Sequence, residues 1–388
     1  MIPTLHFPEQ CSREQFLDQY WQRKPLLMRG AIDPALLQFD PGELAGMACE
    51  DGIESRLIRQ LGDTDWQLQH GPLEETAFSE LPESDWTLLV QDVDKHVPEV
   101  ADVLDAFDFL PDWRIDDIMI SFAADQGGVG PHTDNYDVFL IQAQGTRRWR
   151  LSERIYQDDD LLDDCPLRVL REFDTDYDWE LHPGDVLYLP PRMAHWGTAV
   201  GECMTWSVGM RGPSDSELAS AWLESVTLDR PRRYFRDSLE SSRASDCHIS
   251  HDEFATAARL ISALSPHDSP EFRRWFACYV TEPKPDLEIE APSETLSAGQ
   301  LRQAVDNATG LRRHPWARFA SIRLEDDAIG LCSQGQCFEL AREHAELLSL
   351  VCRHRRLAAD TLRAQPEQAA LWEWLSQLFN RGLLILDD

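Results

Sequence analysis

Short apolar or alternating runs separated by turn-forming residues fill the first half of the chain, and 3.6-residue periodicity dominates the second. Ser12-Arg13-Glu14-Gln15 has the capping-box pattern and predicts a helix through Phe16, Tyr20 and Trp21. A strand at 25–28, a short helix around 34–47 and alternating segments over 53–68 follow. Further strands are expected at 86–93 and 116–123, with a helix at 97–107 closed by Pro111. Residues 137–142 read as a mostly apolar strand that turns at Gln144-Gly145-Thr146 and returns through 147–151, a hairpin. Pro183-Gly184 predicts a turn, 186–189 a short buried strand, Pro190-Pro191 a fixed corner and 203–209 the last strand of the series. Many short strands between turn signals indicate a double-stranded β-helix, or jelly roll, flanked by N-terminal helices.

From about Pro213 the character changes. Residues 216–226, 231–239, 251–264 and 270–281 read as helices with apolar stripes. Such stripes in a segment without motifs point to packing or a symmetric self-contact, so a homodimer is expected. A Pro-rich linker from Pro283-Lys284-Pro285 to Pro292 closes this part. The remainder predicts a helix at 297–307, a hairpin within 320–341, helices at 343–354 and 368–379, and a strand at 383–386, a winged-helix-like set. The expected architecture is α+β: a double-stranded β-helix (jelly-roll) domain with N-terminal helices at 1–212 (core about 86–212), a helical dimerisation region at 213–290 and a winged-helix-like domain at 291–388.

The chemistry-bearing residues lie on the strands. In extended chain, residues two apart point to one side, about 6.6 Å along the axis, so His132 and Asp134 would aim an imidazole and a carboxylate into one space. His195, just beyond the double-proline corner, is a candidate third ligand. Each alone is ordinary: a His-x-Asp triplet arises often by chance, and an isolated strand histidine is usually a core residue. Together, two histidines and one carboxylate make the facial triad of non-haem Fe(II) oxygenases, which keeps coordination positions open.

Charge bears on the partner. The chain has 36 Lys+Arg against 69 Asp+Glu, a net charge of −33. An acidic surface repels phosphate backbones and draws in basic partners, although acidic surfaces also serve solubility alone. From Ser297 onward eleven Arg face twelve Asp+Glu, so the winged-helix-like segment favours protein contact or scaffolding over nucleic acid. The acidic stretch 156–164 reads first as a solvated loop. Nine cysteines without a C-x-x-C pair give no disulfide framework or zinc site, and Cys332 and Cys337 read as hairpin residues. The first residues lack a secretory signal and no long apolar run is present, so a cytoplasmic protein without a membrane span is expected.

GVGPHTDNYDVFLIQAQGTRRWRL, PGDVLYLPPRMAHWG and the N-terminal FLDQYWQRKPLLMRGAI resemble the JmjC branch of the cupin-like 2-oxoglutarate oxygenases, and within it the bacterial ribosomal oxygenases. The resemblance implies Fe(II) on His132, Asp134 and His195, with 2-oxoglutarate and dioxygen as cosubstrates. It implies that Arg147, with Ser121 and beside His132, receives the far carboxylate of 2-oxoglutarate. It also implies hydroxylation of an arginine of large-subunit ribosomal protein sixteen. Other activities sharing the metal centre are histidyl hydroxylation and lysine demethylation. From different classes come a cupin isomerase or dioxygenase without 2-oxoglutarate, and a non-catalytic DNA-binding regulator. Asp125, Tyr136 and Asp137 are candidates for the mouth of the site on sequence position, and equally ordinary loop or strand-edge residues.

Overall fold

The computed structural model describes residues 3–228, 231–236, 249, 251–265, 268–324, 328–365 and 368–387. Nine strands make the first sheet system: β1 (Leu26–Met28), β2 (Ser55–Gln60), β3 (Trp66–His70), β4 (Trp86–Val90), β5 (Ile115–Ala123), β6 (Val138–Ser152), β7 (Tyr177–Leu181), β8 (Val186–Leu189) and β9 (Ala194–Met210). Neighbours run β1-β8-β6-β9-β5-β4-β2-β3, with β7 on the second half of β6, and the paired strands are antiparallel.

The expected hairpin over 137–151 is instead one strand. β6 continues through Gly145, and β9 accompanies it from Val138, opposite Gly209, to Ser152, opposite Ala194. Gly145 does adopt the left-handed φ of +66° that suggested a turn. It uses that freedom at an irregularity in the pairing, where a Cβ would come within 2.1 Å of the Glu202 carbonyl oxygen. A bulge bends a strand without reversing it. It also shifts side-chain parity: Val138 and Leu140 line the central cavity from even positions, Arg147 and Trp149 from odd ones.

N-terminal segments close the back of the barrel. Ser12 caps the helix Arg13–Gln19 with the full capping box, as the sequence predicts. That helix buries Phe16 completely against Tyr188 and Phe139, with ring centroids 4.9 and 5.9 Å away. Burial of such a side chain contributes about 1.5–3 kcal/mol. The region 34–47 splits into a 3-10 turn at Pro34–Leu36 and a helix at Pro41–Met47, because Asp40 accepts from the N–H groups of Gly42 and Glu43 and starts a new helix. Similarly, 97–107 divides into Pro98–Asp102 and the 3-10 segment Val103–Phe107.

Helices occupy Asp215–Leu228, His251–Ser262 and Pro270–Tyr279. Residues 231–236 are irregular rather than helical, where Pro231-Arg232-Arg233 offers no cap and repeats one charge; the rest of the helix expected there lies outside the described residues. The C-terminal unit holds helices Ala298–Asn307, Ala345–Arg353, Ala359–Ala364 and Gln368–Phe379. Two small sheets accompany them. One combines β10 (Gly310–Arg313), β14 (Arg356–Ala358) and β15 (Leu384–Asp387); the other is a meander of β11 (Ala320–Arg323), β12 (Ile329–Ser333) and β13 (Gln336–Leu340). Cys332 faces Cys337 across its tight turn. Ion pairs dock this unit on the barrel: Asp112 holds Arg313 and Arg355, each at 2.6 Å, and Asp116 holds Arg318 at 3.1 Å.

Candidate metal centre and cosubstrate pocket

Two backbone hydrogen bonds set the first part of the site. His132 donates to the His195 carbonyl at 3.0 Å and His195 donates to that of His132 at 2.9 Å. His132 therefore meets the start of β9 through a single bridge, and Asp134 lies in the loop beyond it rather than on a strand. The expected same-face geometry is reached through this loop. The double-proline corner holds both ends: the Arg192 N–H donates to the Asp134 carbonyl at 2.6 Å, and the Met193 carbonyl takes His195 Nδ1 at 2.9 Å. The other imidazole is fixed alike, with Nδ1 3.0 Å from the Gly130 carbonyl. These bonds place the Nδ1 proton and turn both Nε2 lone pairs inward.

Nε2 of His132 lies 3.9 Å from one Asp134 oxygen and Nε2 of His195 lies 3.7 Å from the other. The three ligand atoms fall within 4.8 Å of one another, the spacing a single ion would bridge. His195 is buried, and its pKa is pushed down to about 4, by burial first and then by the neighbouring His132. It is thus a neutral imidazole at neutral pH, the form that binds a metal.

A cavity of about 610 Å³ opens from this trio. Arg147 enters it from β6 and is only 3 % exposed. Its Nη2 reaches the Gly197 carbonyl at a long 3.4 Å, while Nε and Nη1 have no partner. The guanidinium stacks on Trp149, 5.1 Å from the ring centre, and burial lowers its pKa. A buried cation with free donors demands an anion, and a dicarboxylate would supply one bidentately. Gly197 makes the room: a Cβ there would stand 2.6 Å from the Trp149 ring and 2.8 Å from Arg147 Nε. Ser121, on β5, lines the same cavity and bonds the Thr205 carbonyl at 3.3 Å.

The candidates for the mouth separate. Tyr136 lines the cavity, and the charge of Asp134, followed by burial, holds its phenol above the ordinary pKa. Asp137 is fully buried away from it, bound to Tyr188 at 2.6 Å, Gln22 at 2.9 Å and Arg114 at 3.0 Å. Asp125 caps a loop by accepting from the Gly201 N–H at 2.8 Å. The group that sequence reasoning missed is Asp117. It lines the cavity, is 4 % exposed, and burial raises its pKa to about 7. Strand alternation carries the signal: Ser121 inside the cavity implies Met119 and Asp117 on the same face, and all three line it.

A JmjC domain model matches residues 102–218, and a ROXA-like winged helix model matches residues 264–384. The chain is 33% identical over 385 residues to the ribosomal protein uL16 3-hydroxylase of Escherichia coli, covering 98% of this chain and 97% of that protein. The chain belongs to the JmjC ribosomal oxygenase family. Among solved members of this ribosomal oxygenase family, E. coli YcfD superposes with a TM-score of 0.82 at 31% identity, covering both chains fully. YcfD in complex with cobalt and 2-oxoglutarate gives 0.80 at 30% identity, again over both full chains. The JmjC fold and the C-terminal winged helix expected from the sequence are therefore those of the family. The winged-helix match begins ahead of residue 291, in keeping with helix Pro270–Tyr279: its Ala277 and the C-cap residue Val280 pack with Ala320 and Cys332 of the β11–β13 meander.

Proposed function

We propose that this ribosomal oxygenase is an Fe(II)- and 2-oxoglutarate-dependent hydroxylase that modifies an arginine side chain of large-subunit ribosomal protein uL16. The observation that carries the reading is the pairing of a His132–Asp134–His195 trio with a buried Arg147, whose Nε and Nη1 have no partner, in one cavity. The residues fit the group: His132, Asp134 and His195 would hold the metal, and Arg147, with Ser121, would hold the far carboxylate of 2-oxoglutarate. When bound, iron and cosubstrate supply the oxygen activation that side chains cannot. The protein positions: carbonyls of Gly130 and Met193 fix the imidazoles, and Trp149 backs both His195 and Arg147.

Arginine as substrate is supported by Asp117 and Tyr136 in the cavity lining, a buried carboxylate and an aromatic group suited to a guanidinium. The net charge of −33 suits a basic ribosomal protein. No helix among the described residues is long and apolar enough to cross a membrane, and a cytoplasmic location follows from the ribosomal substrate. The helices of 213–290 are proposed to join two copies: Leu223, Leu228, Phe254 and Ile261 are exposed large apolar residues there. Intact-mass analysis of ribosomal proteins from cells with and without the gene tests the activity. One oxygen missing from uL16 alone in the deleted strain is expected, and an unchanged uL16 would refute the substrate.

A further inference from the structure

The linker Pro283-Lys284-Pro285 has no part in the reaction as described, yet it delivers a lysine to the back of the substrate cavity. Lys284 Nζ lies 2.8 Å from Asp92 Oδ1 and 3.3 Å from Asp116 Oδ2. Asp92 in turn donates its backbone N–H to Asp117 Oδ2 at 2.9 Å, and Gln91 Nε2 reaches the same oxygen at 3.3 Å. Asp92 does this from a left-handed backbone with φ of 56°, seldom adopted by residues other than glycine. Its side-chain partner is Lys284. The prolines on either side limit the linker backbone, so the lysine is presented with little loss of entropy.

We propose that Lys284 is a positioning residue for the substrate arginine pocket, acting through Asp92 to hold Asp117 in place from outside the oxygenase barrel. The proposal rests on the reading of Asp117 as the partner of the substrate guanidinium. The N–H groups of Asp92 and Gln91 occupy Oδ2, which leaves Oδ1 for a ligand. Charge supports the same role. Asp92 and Asp94 face Asp117 from the segment after β4, and Asp116 adjoins it on β5. Lys95 pairs with Asp94, Arg318 pairs with Asp116, and Arg56 and Arg211 line the cavity. Lys284 opposes this carboxylate cluster most directly. Burial works against its own charge, but Asp117, Asp116 and Asp92 outweigh that and hold its pKa above the ordinary lysine range. Without it, Asp117 would keep its proton to higher pH and lose the fixed N–H.

The test measures KM for recombinant uL16 and for 2-oxoglutarate in the full-length enzyme, comparing wild type, Lys284→Ala, Lys284→Arg and Asp117→Asn. Assays run at about pH 6.5 and about pH 8.5, either side of the raised carboxyl pKa. Lys284→Ala is expected to raise the uL16 KM roughly tenfold at the lower pH, about 1.4 kcal/mol, and less at the higher. The 2-oxoglutarate KM should stay unchanged, and Lys284→Arg should restore most of the uL16 affinity. A wild-type uL16 KM in Lys284→Ala, or an equal deficit at both pH values that Lys284→Arg also shows, would overturn the proposal. If Asp117→Asn raises the uL16 KM while Lys284→Ala does not, the lysine link alone is wrong. If Asp117→Asn leaves it unchanged, the pocket reading fails and takes the lysine with it. Should Lys284→Ala not fold, Lys284→Gln, which keeps the stem, is read by the same criteria.

Discussion

His132 and His195 stand opposite each other, each N–H bonded to the other's carbonyl, with their ring centroids 4.2 Å apart. Residues 63 positions apart in sequence are thereby locked into one ligand pair before any ion arrives. Preorganisation of this kind lowers the cost of ordering a binding site. Replacing His195 with Ala is expected to abolish stoichiometric Fe(II) or Co(II) binding, with at most a small fall in melting temperature. Titration calorimetry together with thermal unfolding checks both halves of that statement.

Arg147 is the anion receptor in this account. Arg147→Ala is expected to raise the 2-oxoglutarate requirement ten- to hundredfold, since bonds to charged groups are worth about 1.5–3 kcal/mol. Metal affinity in the absence of cosubstrate should not change. A mutant with the wild-type 2-oxoglutarate KM would remove Arg147 from the site.

Gly197 offers a subtler probe of the same pocket. A methyl group at this position must displace the Trp149 ring or Arg147. Gly197→Ala is expected to raise the 2-oxoglutarate KM and to cost about 1–3 kcal/mol of stability through overpacking. Denaturant unfolding and cosubstrate titration of the same preparation would separate the two effects.

Substrate affinity should depend on pH through Asp117. An arginine stays protonated throughout, whereas this carboxyl loses its proton only near pH 7 because it is buried. The KM for uL16 is therefore expected to fall as pH rises through about 7 and then to level off. Asp117→Asn should flatten the profile at the weaker value.

Docking of the C-terminal unit depends on Asp112. Burial opposes its ionisation, but Arg313 and Arg355 outweigh this and lower its pKa from 3.8 to about 2. Its contribution is complete above pH 3.8, the unfolded value, and is lost as pH falls through about 2. At neutral pH, Asp112→Ala strands two guanidinium groups and is expected to cost about 3–5 kcal/mol, read from chemical unfolding.

The sequence revealed residues more readily than the path between them. His132, Asp134 and His195 could be read because turn and proline signals surround them. Arg147 came from the family likeness, and its position on the inward face follows only once the bulge at Gly145 is known. That glycine looks like a hairpin turn because a positive φ serves turns and bulges alike, and only pairing with distant β9 decides between them. Asp117 was missed for a different reason. It follows another aspartate, Asp116, at the start of β5, and an acidic pair at a strand end ordinarily faces solvent. Asp137 misled for the converse reason: its position beside the mouth gave no hint of Tyr188, Gln22 and Arg114 converging on it.

The most direct test of the central claim is a crystal grown with Co(II) and 2-oxoglutarate, measured at the cobalt absorption edge. One anomalous peak is expected within bonding distance of His132 Nε2, His195 Nε2 and an Asp134 oxygen, with the distal carboxylate of 2-oxoglutarate on Arg147. A metal bound elsewhere, or a cosubstrate carboxylate that leaves Arg147 without a partner, would contradict it.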